Sequence, residues 1–369
     1  MIRWERLDKL FDLRQGNHLP LEKLCEKGYP VYGANGKIGN YNEFMYEEPT
    51  ILVTCRGATC GSINLTQPKS WVTGNAIALL PKKTNIDRLY FYYCLKENSF
   101  FDVISGSAQP QIIVSTLSSK KVPVPDNIKD QKKISCILQK AESILEKRRQ
   151  TLRLADEFLK SAFREMFGNL GCNSKRLPVH ILKDLILDVQ NEDPQRFPNK
   201  NYSYIDISSI DNQIKKIIEV KQILGSEAPS RARQLIEPGD VVVSTVRPNL
   251  NAVALVPPDL SNPIASTGFC ILRTNQTMAC PEYIFEITKS SFFISSLVKI
   301  AKGASYPAVT DRDILAIRIP VPSLTEQQKF IDLVQKVERL KEKQKQSEQK
   351  LTSLFNALMQ RAFQQVRCE

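Results

Sequence analysis

The segment GSAQP at residues 106–110, followed by VPVP at 122–125, recurs in the same chain as GASYP at 303–307 and IPVP at 319–322. One offset of 197 residues separates three pairs of equivalent positions: Pro110 and Pro307, Pro125 and Pro322, and Gln131 and Gln328. This repeat predicts that the 369-residue chain consists of two tandem copies of one domain.

The repeat extends towards the N-terminal side of each copy. VTGNAIAL at residues 72–79 corresponds to STGFCILR at 266–273, and Thr73 aligns with Thr267 at an offset of 194 residues. A weaker pair is EEPTILVTCRG at 47–57 and IEPGDVVVSTVRP at 236–248. The β-branched runs TILV and DVVVSTV, bounded by turn-forming residues, predict strands. Each copy is therefore expected to begin with short strands and turns and to end in a helix.

A helix start is predicted after each proline-rich segment. Proline does not continue a helix, and a polar side chain that accepts hydrogen bonds from free N–H groups typically precedes the first turn. Asp126 or Asn127 is the candidate cap in the first copy. In the second copy, Thr325 with Gln328 three residues later has the spacing of a capping box.

Both predicted helices carry an apolar seam at steps of three and four residues, which is typical of a coiled coil. The seam of the first helix is Ile134, Leu138, Ala141, Leu145, Arg148, Leu152, Ala155, Leu159, Ala162 and Met166. The seam of the second is Phe330, Leu333, Val337, Leu340, Gln344, Ser347, Leu351, Leu354, Leu358 and Arg361, with a polar middle at 341–350. We expect these seams to pair, with their polar positions facing each other or a partner. Two helices that each pack only on their own domain are the alternative.

Composition favours a polyanionic partner and argues against several kinds of site. With 51 Lys and Arg against 39 Asp and Glu, the formal charge is +12, which suits nucleic acid. The nine cysteines occur without a CxxC pair and the chain has two histidines, a poor supply of zinc ligands and general bases. We expect reduced, mostly buried thiols. No run approaches the ~18 apolar residues of a membrane span, so a soluble, cytoplasmic protein is expected.

The motifs of the common DNA-processing enzymes are missing. We find no P-loop, no GxGxxG after a strand and no HExxH. The only Pro-Pro pair, Pro257 and Pro258, lacks the flanking residues of an amino-methyltransferase motif. Asp126, Asp130 and Lys132 imitate a nuclease metal site, but favourable charge at a helix N-terminus explains the acids better.

The arrangement of two variable domains, each followed by a long helix, resembles the DNA specificity subunit of type I restriction-modification systems along essentially the whole chain. The first copy carries the resemblance in residues 29–39, 51–64, 73–79, 106–112 and 121–125, and the second in residues 266–272, 303–310 and 319–331. The second copy departs from the first where YSYIDISSID at 202–211 replaces YPVYGANG and STVRPNLN replaces TCRGATCG. That divergence is typical of halves that read different bases.

The resemblance implies an α+β, pseudo-twofold fold of two mixed α/β target recognition domains in tandem, with the two long helices paired as an antiparallel coiled coil. We divide the chain into target recognition domain 1 (1–125), helical spacer 1 (126–170), target recognition domain 2 (171–322) and helical spacer 2 (323–369). The domains would read the two halves of a bipartite DNA site. The implied partners are double-stranded DNA, two methyltransferase subunits and restriction subunits, and S-adenosylmethionine, ATP and magnesium would bind those subunits, with no cofactor in this chain.

Polar loop residues at strand ends are the candidate base contacts, because Arg pairs with guanine and Asn or Gln with adenine. In the first copy they are Asn35, Lys37, Arg56, Thr59, Asn75, Gln109 and Gln111. In the second they are Arg247, Asn249, Asn251, Ser305 and Tyr306. Each has a plainer alternative in turn formation or a phosphate contact. The basic helix residues Lys147, Arg148, Arg149 and 341–350 are interpreted as a solvated face rather than a binding surface.

Three hypotheses follow from the sequence. The favoured one is a non-catalytic, sequence-reading specificity subunit that directs partner enzymes to DNA. A stand-alone DNA-processing enzyme such as a nuclease, and a structural coiled-coil adaptor, are the alternatives. The first further implies that the helices act as a ruler, so that a heptad added between Arg148 and Leu152 lengthens the unread gap.

Overall fold

The structure is a computed structural model that describes residues 2–98, 100, 102–106, 109–303 and 305–363. The chain divides into two compact units. Unit 1 comprises Met1–Leu152 and Lys343–Glu369, and unit 2 comprises Arg153–Glu342. Each unit therefore contains one domain together with part of both long helices, which cuts across the four segments predicted from the sequence.

Unit 1 has nine strands and three short helices of its own among the described residues. The strands are β1 (Ile2–Arg6), β2 (Phe11–Gln15), β3 (Tyr29–Gly33), β4 (Gly36–Tyr41), β5 (Ile51–Thr54), β6 (Ile63–Leu65), β7 (Trp71–Val72), β8 (Ala76–Pro81) and β9 (Lys121–Pro125). The short helices are α1 (Leu7–Leu10), α2 (Arg88–Glu97) and α3 (Val114–Ser119). The long helix α4 (Ile128–Phe167) begins in unit 1 and ends in unit 2. Hydrogen bonds join the strands in the orders β2-β8-β5-β6, β4-β3-β7 and β1-β9.

Unit 2 repeats this plan with additional strands. They are β10 (Val179–Ile181), β11 (Ile186–Leu187), β12 (Asn201–Ile205), β13 (Ile210–Asp211), β14 (Lys216–Ile217), β15 (Lys221–Leu224), β16 (Ala232–Leu235), β17 (Val241–Ser244), β18 (Val253–Leu255), β19 (Pro263–Ser266), β20 (Phe269–Thr274) and β21 (Arg318–Pro320). The helices are α5 (Pro281–Lys289), α6 (Ser291–Ile300), α7 (Asp311–Leu315) and the long α8 (Leu324–Phe363), which ends in unit 1. The sheets are β11-β20-β17-β18, β15-β12-β19-β16, β10-β21 and β13-β14.

The main sheets of the two units have matching registers. In unit 1, Ile51 of β5 pairs with Leu79 of β8, and in unit 2, Val241 of β17 pairs with Leu272 of β20. β5 and β17 are buried along their whole length and have a strand on each side, which explains why β-branched residues fill them. The predicted α+β class, two tandem domains and strands at TILV and DVVVSTV are confirmed.

The ends of the long helices complete the apolar cores of the two units. In unit 1, Met359 and Phe363 from the end of α8 join a core built around Phe11 and Tyr90. In unit 2, Phe167 from the end of α4 joins the cluster that contains Tyr283. Each domain therefore depends on a helix whose other end belongs to the other unit.

The two long helices pack against each other within each unit. In unit 1, Arg148 donates a hydrogen bond to Gln344, and Arg149 Nε lies 2.8 Å from Glu348 Oε1. In unit 2, Lys341 Nζ lies 2.7 Å from Asp156 Oδ1. In unit 2, Phe167 near the end of α4 packs on Phe330, whereas Asp156 earlier in α4 pairs with Lys341, so residue numbers rise along one helix as they fall along the other and the pairing is antiparallel. The expectation that polar middle positions face the partner helix is confirmed, and for these three basic residues a purely solvated face is wrong.

The predicted seam is confirmed for α4, where none of its ten positions is exposed. For α8 it is wrong at Leu340, Leu354 and Arg361, because the first two are 59% and 56% exposed and Arg361 also lies at the surface. Lys341 and Phe355 take the inner positions instead. The aliphatic stem of a lysine covers apolar surface while its amine stays paired, so the sequence pattern favoured the wrong neighbour.

The cap of α8 also differs from the prediction. Ser323, not Thr325, is the cap: its Oγ donates to Glu326 Oε2 at 2.7 Å, and the Glu326 N–H donates back to Ser323 Oγ at 3.4 Å. In the first copy Asn127 is the cap, since its Oδ1 accepts from the Lys129 N–H at 2.9 Å. The two helices therefore begin after connections that differ in length by one residue.

A buried glutamine ties the first turn of each long helix to its unit. Gln131 Oε1 accepts from the Asp87 N–H at 2.9 Å and its Nε2 donates to the Pro125 carbonyl at 3.2 Å. In unit 2, Gln327 Oε1 accepts from the Cys280 N–H at 2.7 Å. Its Nε2 donates to the Pro322 carbonyl at 2.9 Å. Gln327 is therefore the counterpart of Gln131, and the predicted equivalence with Gln328 is wrong by one residue.

Replacing Gln327 by leucine is expected to destabilise the protein, because the Cys280 N–H and the Pro322 carbonyl lose their partner. Each buried polar group left unpaired costs about 1–3 kcal/mol. Urea unfolding of the full chain measures the loss. Gln328→Ala is the matched control: its side chain is exposed and donates only to Asp332, so a change within about 0.5 kcal/mol is expected. Equal losses in the two variants would contradict the assignment.

Candidate nucleic-acid interface

In unit 1, four loops converge at one end of the main sheet. Thr54 Oγ1 donates to the Ala34 carbonyl at 2.9 Å, which ties the β5–β6 loop to the β3–β4 turn. The Cys55 N–H donates to the Asn75 carbonyl at 2.9 Å, and the Ile112 N–H donates to the Cys55 carbonyl at 3.0 Å. We call residues 34–37, 55–62, 73–75 and 105–112 loop edge 1, within which 107 and 108 are not described.

All seven residues proposed for the first copy lie on loop edge 1. Asn35, Lys37, Arg56, Asn75 and Gln109 are exposed, and Thr59 and Gln111 are half-buried. Thr59 Oγ1 donates to Asn35 Oδ1 at 2.9 Å and so orients that amide. Gln111 forms backbone bridges with Arg56 and Ser105. The structure brings these side chains together, and their contacts with bases stay predictions.

In unit 2, an equivalent set of loops converges at the end of β17. The Thr245 N–H donates to the Gly268 carbonyl at 3.0 Å, and the Val309 N–H donates to the Thr245 carbonyl at 2.9 Å. The Arg247 N–H donates to the Pro307 carbonyl at 2.7 Å. We call residues 245–251, 267–268 and 302–309 loop edge 2, within which 304 is not described.

The five residues proposed for the second copy lie on loop edge 2, but their exposure differs. Arg247, Asn249, Ser305 and Tyr306 are exposed. The Arg247 Cζ lies 4.6 Å from the centroid of the Tyr306 ring. Asn251 is only 6% exposed and its Nδ2 has no hydrogen-bond partner within the described chain. This burial argues against a direct base contact by Asn251 and favours a role in shaping the loop.

The repeat continues into the loop edges with two changes. Ser105 and Gln111 form the same backbone bridge as Lys302 and Ala308, at the offset of 197. In the main sheet, however, Thr54 pairs with Ala76 whereas Ser244 pairs with Phe269. The turn before β20 is therefore one residue shorter than the turn before β8, and Asn75 has no counterpart. The two edges share a backbone plan but present different side chains.

Several residues at the loop edges were missed by the sequence reasoning. Gln15 Nε2 donates to the Gly74 carbonyl at 2.8 Å, and Arg231 accepts from the Thr267 N–H at 2.9 Å through its carbonyl. Lys215 Nζ donates to the Asn251 carbonyl at 2.6 Å, and burial lowers the pKa of its amine. No local sequence motif marks these residues. They reach the loop edges because strands distant in sequence bring them there.

The cysteines and carboxylates form no metal or disulfide site within the described residues. The eight described cysteines are free, and only Cys55, Cys94 and Cys270 are buried, so the expectation of mostly buried thiols is wrong. No group of three or more His, Cys, Asp or Glu in the described ranges is arranged to hold a metal ion. Of the nuclease-like string, Asp126 pairs with Arg3 Nε at 3.6 Å and Asp130 lies in the first turn of α4.

No helix in the described part of the chain is both long and apolar enough to cross a membrane. The long helices α4 and α8 instead use their apolar positions for each other and for the cores of the two units.

Comparison with known proteins agrees with this architecture. The chain is 23% identical to the MjaVIII specificity subunit of Methanocaldococcus jannaschii over 336 residues, which are 85% of this chain and 78% of that protein. It is 27% identical to the HindI specificity subunit of Haemophilus influenzae over 139 residues, 37% of this chain and 30% of that protein. A crystal structure of a type I restriction-modification S subunit from M. genitalium superimposes with a TM-score of 0.66, covers 98% of this chain and 96% of its own, and is 16% identical, which shows the fold.

The type I restriction modification DNA specificity domain matches residues 1–153 and 190–353, most of both copies of the repeat. Both loop edges lie within its matched segments. The resemblance read from the sequence is thereby confirmed. This chain belongs to the family of type I restriction-modification DNA specificity subunits.

Proposed function

We propose that this chain reads a bipartite, asymmetric DNA site, with loop edge 1 reading one half-site and loop edge 2 the other. The observation that carries the proposal is the pair of loop edges, which share a backbone bridge at an offset of 197 yet differ in their exposed side chains. Exposed Asn, Gln and Arg side chains are the groups that read base edges in the major groove. The formal charge of +12 supports attraction to the DNA backbone.

The partners in this proposal are two methyltransferase subunits that dock on the paired helices, joined by restriction subunits. Exposed apolar side chains on the helices support two docking surfaces. Unit 1 carries Ile144 on α4 and Leu354 on α8, and unit 2 carries Leu340 on α8 and Phe158 on α4. The two long helices correspond at an offset of 196 residues, the offset between Gln131 and Gln327. At this offset Ile144 corresponds to Leu340, and Phe158 corresponds to Leu354. Similar surfaces in both units suit two copies of one partner.

Catalysis in the proposal belongs to the partner chains. S-adenosylmethionine would bind the methyltransferase subunits, and ATP and magnesium the restriction subunits. This chain contributes the choice of DNA sequence and the distance between the two half-sites.

Co-expression with a partner methyltransferase subunit, followed by mapping of methylated bases across the genome, tests the proposal. We expect one motif made of two specific halves that differ in sequence and flank a gap of fixed length. A short continuous motif, or methylation without a motif, would contradict the proposal. Metal-dependent DNA cleavage by the isolated chain would favour the nuclease alternative instead.

A further inference from the structure

The backbone that presents Arg247 is held on both sides by hydrogen bonds. The N–H and Oγ1 of Thr245 both donate to the Gly268 carbonyl, at 3.0 and 2.9 Å. On the other side the Arg247 N–H donates to the Pro307 carbonyl at 2.7 Å. Arg247 has a left-handed φ of 51°, a conformation that a side chain other than glycine adopts only where its surroundings hold it. The position of its Cα is therefore set before any DNA binds.

The side chain of Arg247 is held by an aromatic ring rather than by an acid. Its guanidinium Cζ lies 4.6 Å from the centroid of Tyr306, whose side chain is 68% exposed. Two other arginines of unit 2 are paired with carboxylates: Arg233 with Asp193 at 3.0 Å and Arg273 with Asp240 at 2.8 Å. A carboxylate occupies the N–H donors of an arginine, whereas a ring occupies only its face. The donors of Arg247 at the edge of the guanidinium stay available.

We infer that Arg247 reads a guanine in the half-site of unit 2, and that Tyr306 positions its guanidinium for that contact. The inference rests on the proposed DNA-reading function. A guanidinium donates two parallel hydrogen bonds to O6 and N7 of guanine in the major groove. Stacking on Tyr306 reduces the rotamer freedom that a long side chain would otherwise lose on binding. Arg247 is the specificity-determining residue and Tyr306 the positioning residue.

Unit 1 has no equivalent pair. Gly57 stands at the position of Arg247 in the loop that follows the central strand, and Gln109 stands at the position of Tyr306 at the offset of 197. Gly57 has a φ of 90°, and a Cβ placed on it would meet no atom within 4 Å. The inferred guanine contact therefore belongs to one half-site and helps to make the site asymmetric.

Methylation mapping with variants of the full complex tests the inference. Arg247→Ala is expected to make one guanine position in one half-site degenerate, with discrimination reduced about 10-fold or more, while the other half-site and the gap stay the same. Arg247→Lys keeps the charge but not the planar pair of donors, and should discriminate guanine less well than the wild type. Arg196→Ala removes an exposed arginine of unit 2 outside loop edge 2 and should leave the motif intact.

The outcomes separate this inference from the function on which it rests. A wild-type complex without a bipartite motif would contradict both. A wild-type bipartite motif that Arg247→Ala and Arg247→Lys leave unchanged would contradict only the guanine assignment, because a phosphate contact weakens binding at all sequences alike.

A binding experiment tests the contact in any variant whose methylation activity is too low for its motif to be mapped. The purified complex is titrated with duplexes in which each guanine of that half-site is replaced in turn by 7-deazaguanine, which lacks N7. Wild-type protein should lose about 10-fold in affinity at one position, and Arg247→Ala should lose nothing further there. Additive losses would overturn the contact.

The role of Tyr306 has its own readout in the same assay. Tyr306→Phe keeps the ring and should retain the guanine preference, whereas Tyr306→Ser should lower the discrimination while Arg247 is present and change nothing in an Arg247→Ala background. Equal discrimination in Tyr306→Phe and Tyr306→Ser would contradict the positioning role.

Discussion

Phe167→Ala is expected to lower the free energy of unfolding by about 3–5 kcal/mol, the usual loss for a fully buried phenylalanine. The Phe167 ring at the end of α4 lies 5.2 Å from that of Tyr283 and 5.5 Å from that of Phe330. All three side chains are at most 1% exposed. Alanine would leave a cavity among them and would weaken the attachment of α4 to the core of unit 2.

Chemical unfolding of the full chain measures this loss, and hydrogen exchange localises it. Faster exchange is expected in β17, β20 and α5 of unit 2, while the equivalent strands of unit 1 stay protected. Phe158→Ala is the matched control, because Phe158 lies on the same helix but is 51% exposed, and a change within about 0.5 kcal/mol is expected. A small effect of Phe167→Ala on unit 2 would show that α4 does not contribute to its core.

Lengthening both long helices is expected to change the unread gap between the half-sites. The antiparallel pairing means that a heptad added to α4 alone, as the sequence suggested, would misalign Arg148 with Gln344 or Asp156 with Lys341. The insertions are therefore matched, between Leu152 and Arg153 and between Glu342 and Lys343, where the two units meet in the sequence. Contacts inside each unit are then kept.

The number of heptads decides the result, because the proposed function requires both loop edges to face the same side of the duplex. One heptad adds about 10.5 Å and rotates the helix by about −20°, whereas the corresponding three base pairs rotate DNA by about 100°. Three heptads add about 31.5 Å to the helix pair and rotate it by about −60°. Nine base pairs of DNA have nearly the same length and end about 50° short of a full turn, so both the length and the rotation agree. We expect methylation to be lost with one heptad and restored with three.

Methylation mapping measures both results. The three-heptad protein should methylate a motif with both half-sites unchanged and a gap longer by about nine base pairs. Full activity of the one-heptad protein at the original gap, or an unchanged gap with three heptads, would contradict the ruler role. Circular dichroism of each variant controls for loss of the helix pair.

The tandem architecture was readable from the sequence because it depends on local and repeated patterns. The proline-rich segments, the β-branched runs of β5 and β17 and the seam of α4 each follow from propensity or periodicity within a few residues. These signals predicted both domains, both long helices and the positions of the loop edges in the chain. The family followed from the same residues.

The exact partners along α8 needed the tertiary structure. Leu340 and Lys341 are adjacent in sequence, and only the packing against α4 shows that the lysine lies on the inner face and the leucine at the surface. The same holds for Gln327 and Gln328: only the structure shows that Gln327 hydrogen-bonds the buried Cys280 N–H and Pro322 carbonyl. Adjacent residues of an α-helix lie about 100° apart, so one member of each pair faces inward and the other does not. The mixed spacing of three and four residues in α8 allows either choice, and the pattern alone does not decide between them.

The repeat, the helices and the candidate loops were determined by the sequence itself, since each is written within a short stretch of chain. The composition of each loop edge was decided only by the tertiary structure. Asn35 meets Thr59, and Arg247 meets Tyr306, because strand registers and backbone bridges bring loops 24 and 59 residues apart into contact. Such contacts depend on how whole sheets pair, and no local pattern in the chain encodes them.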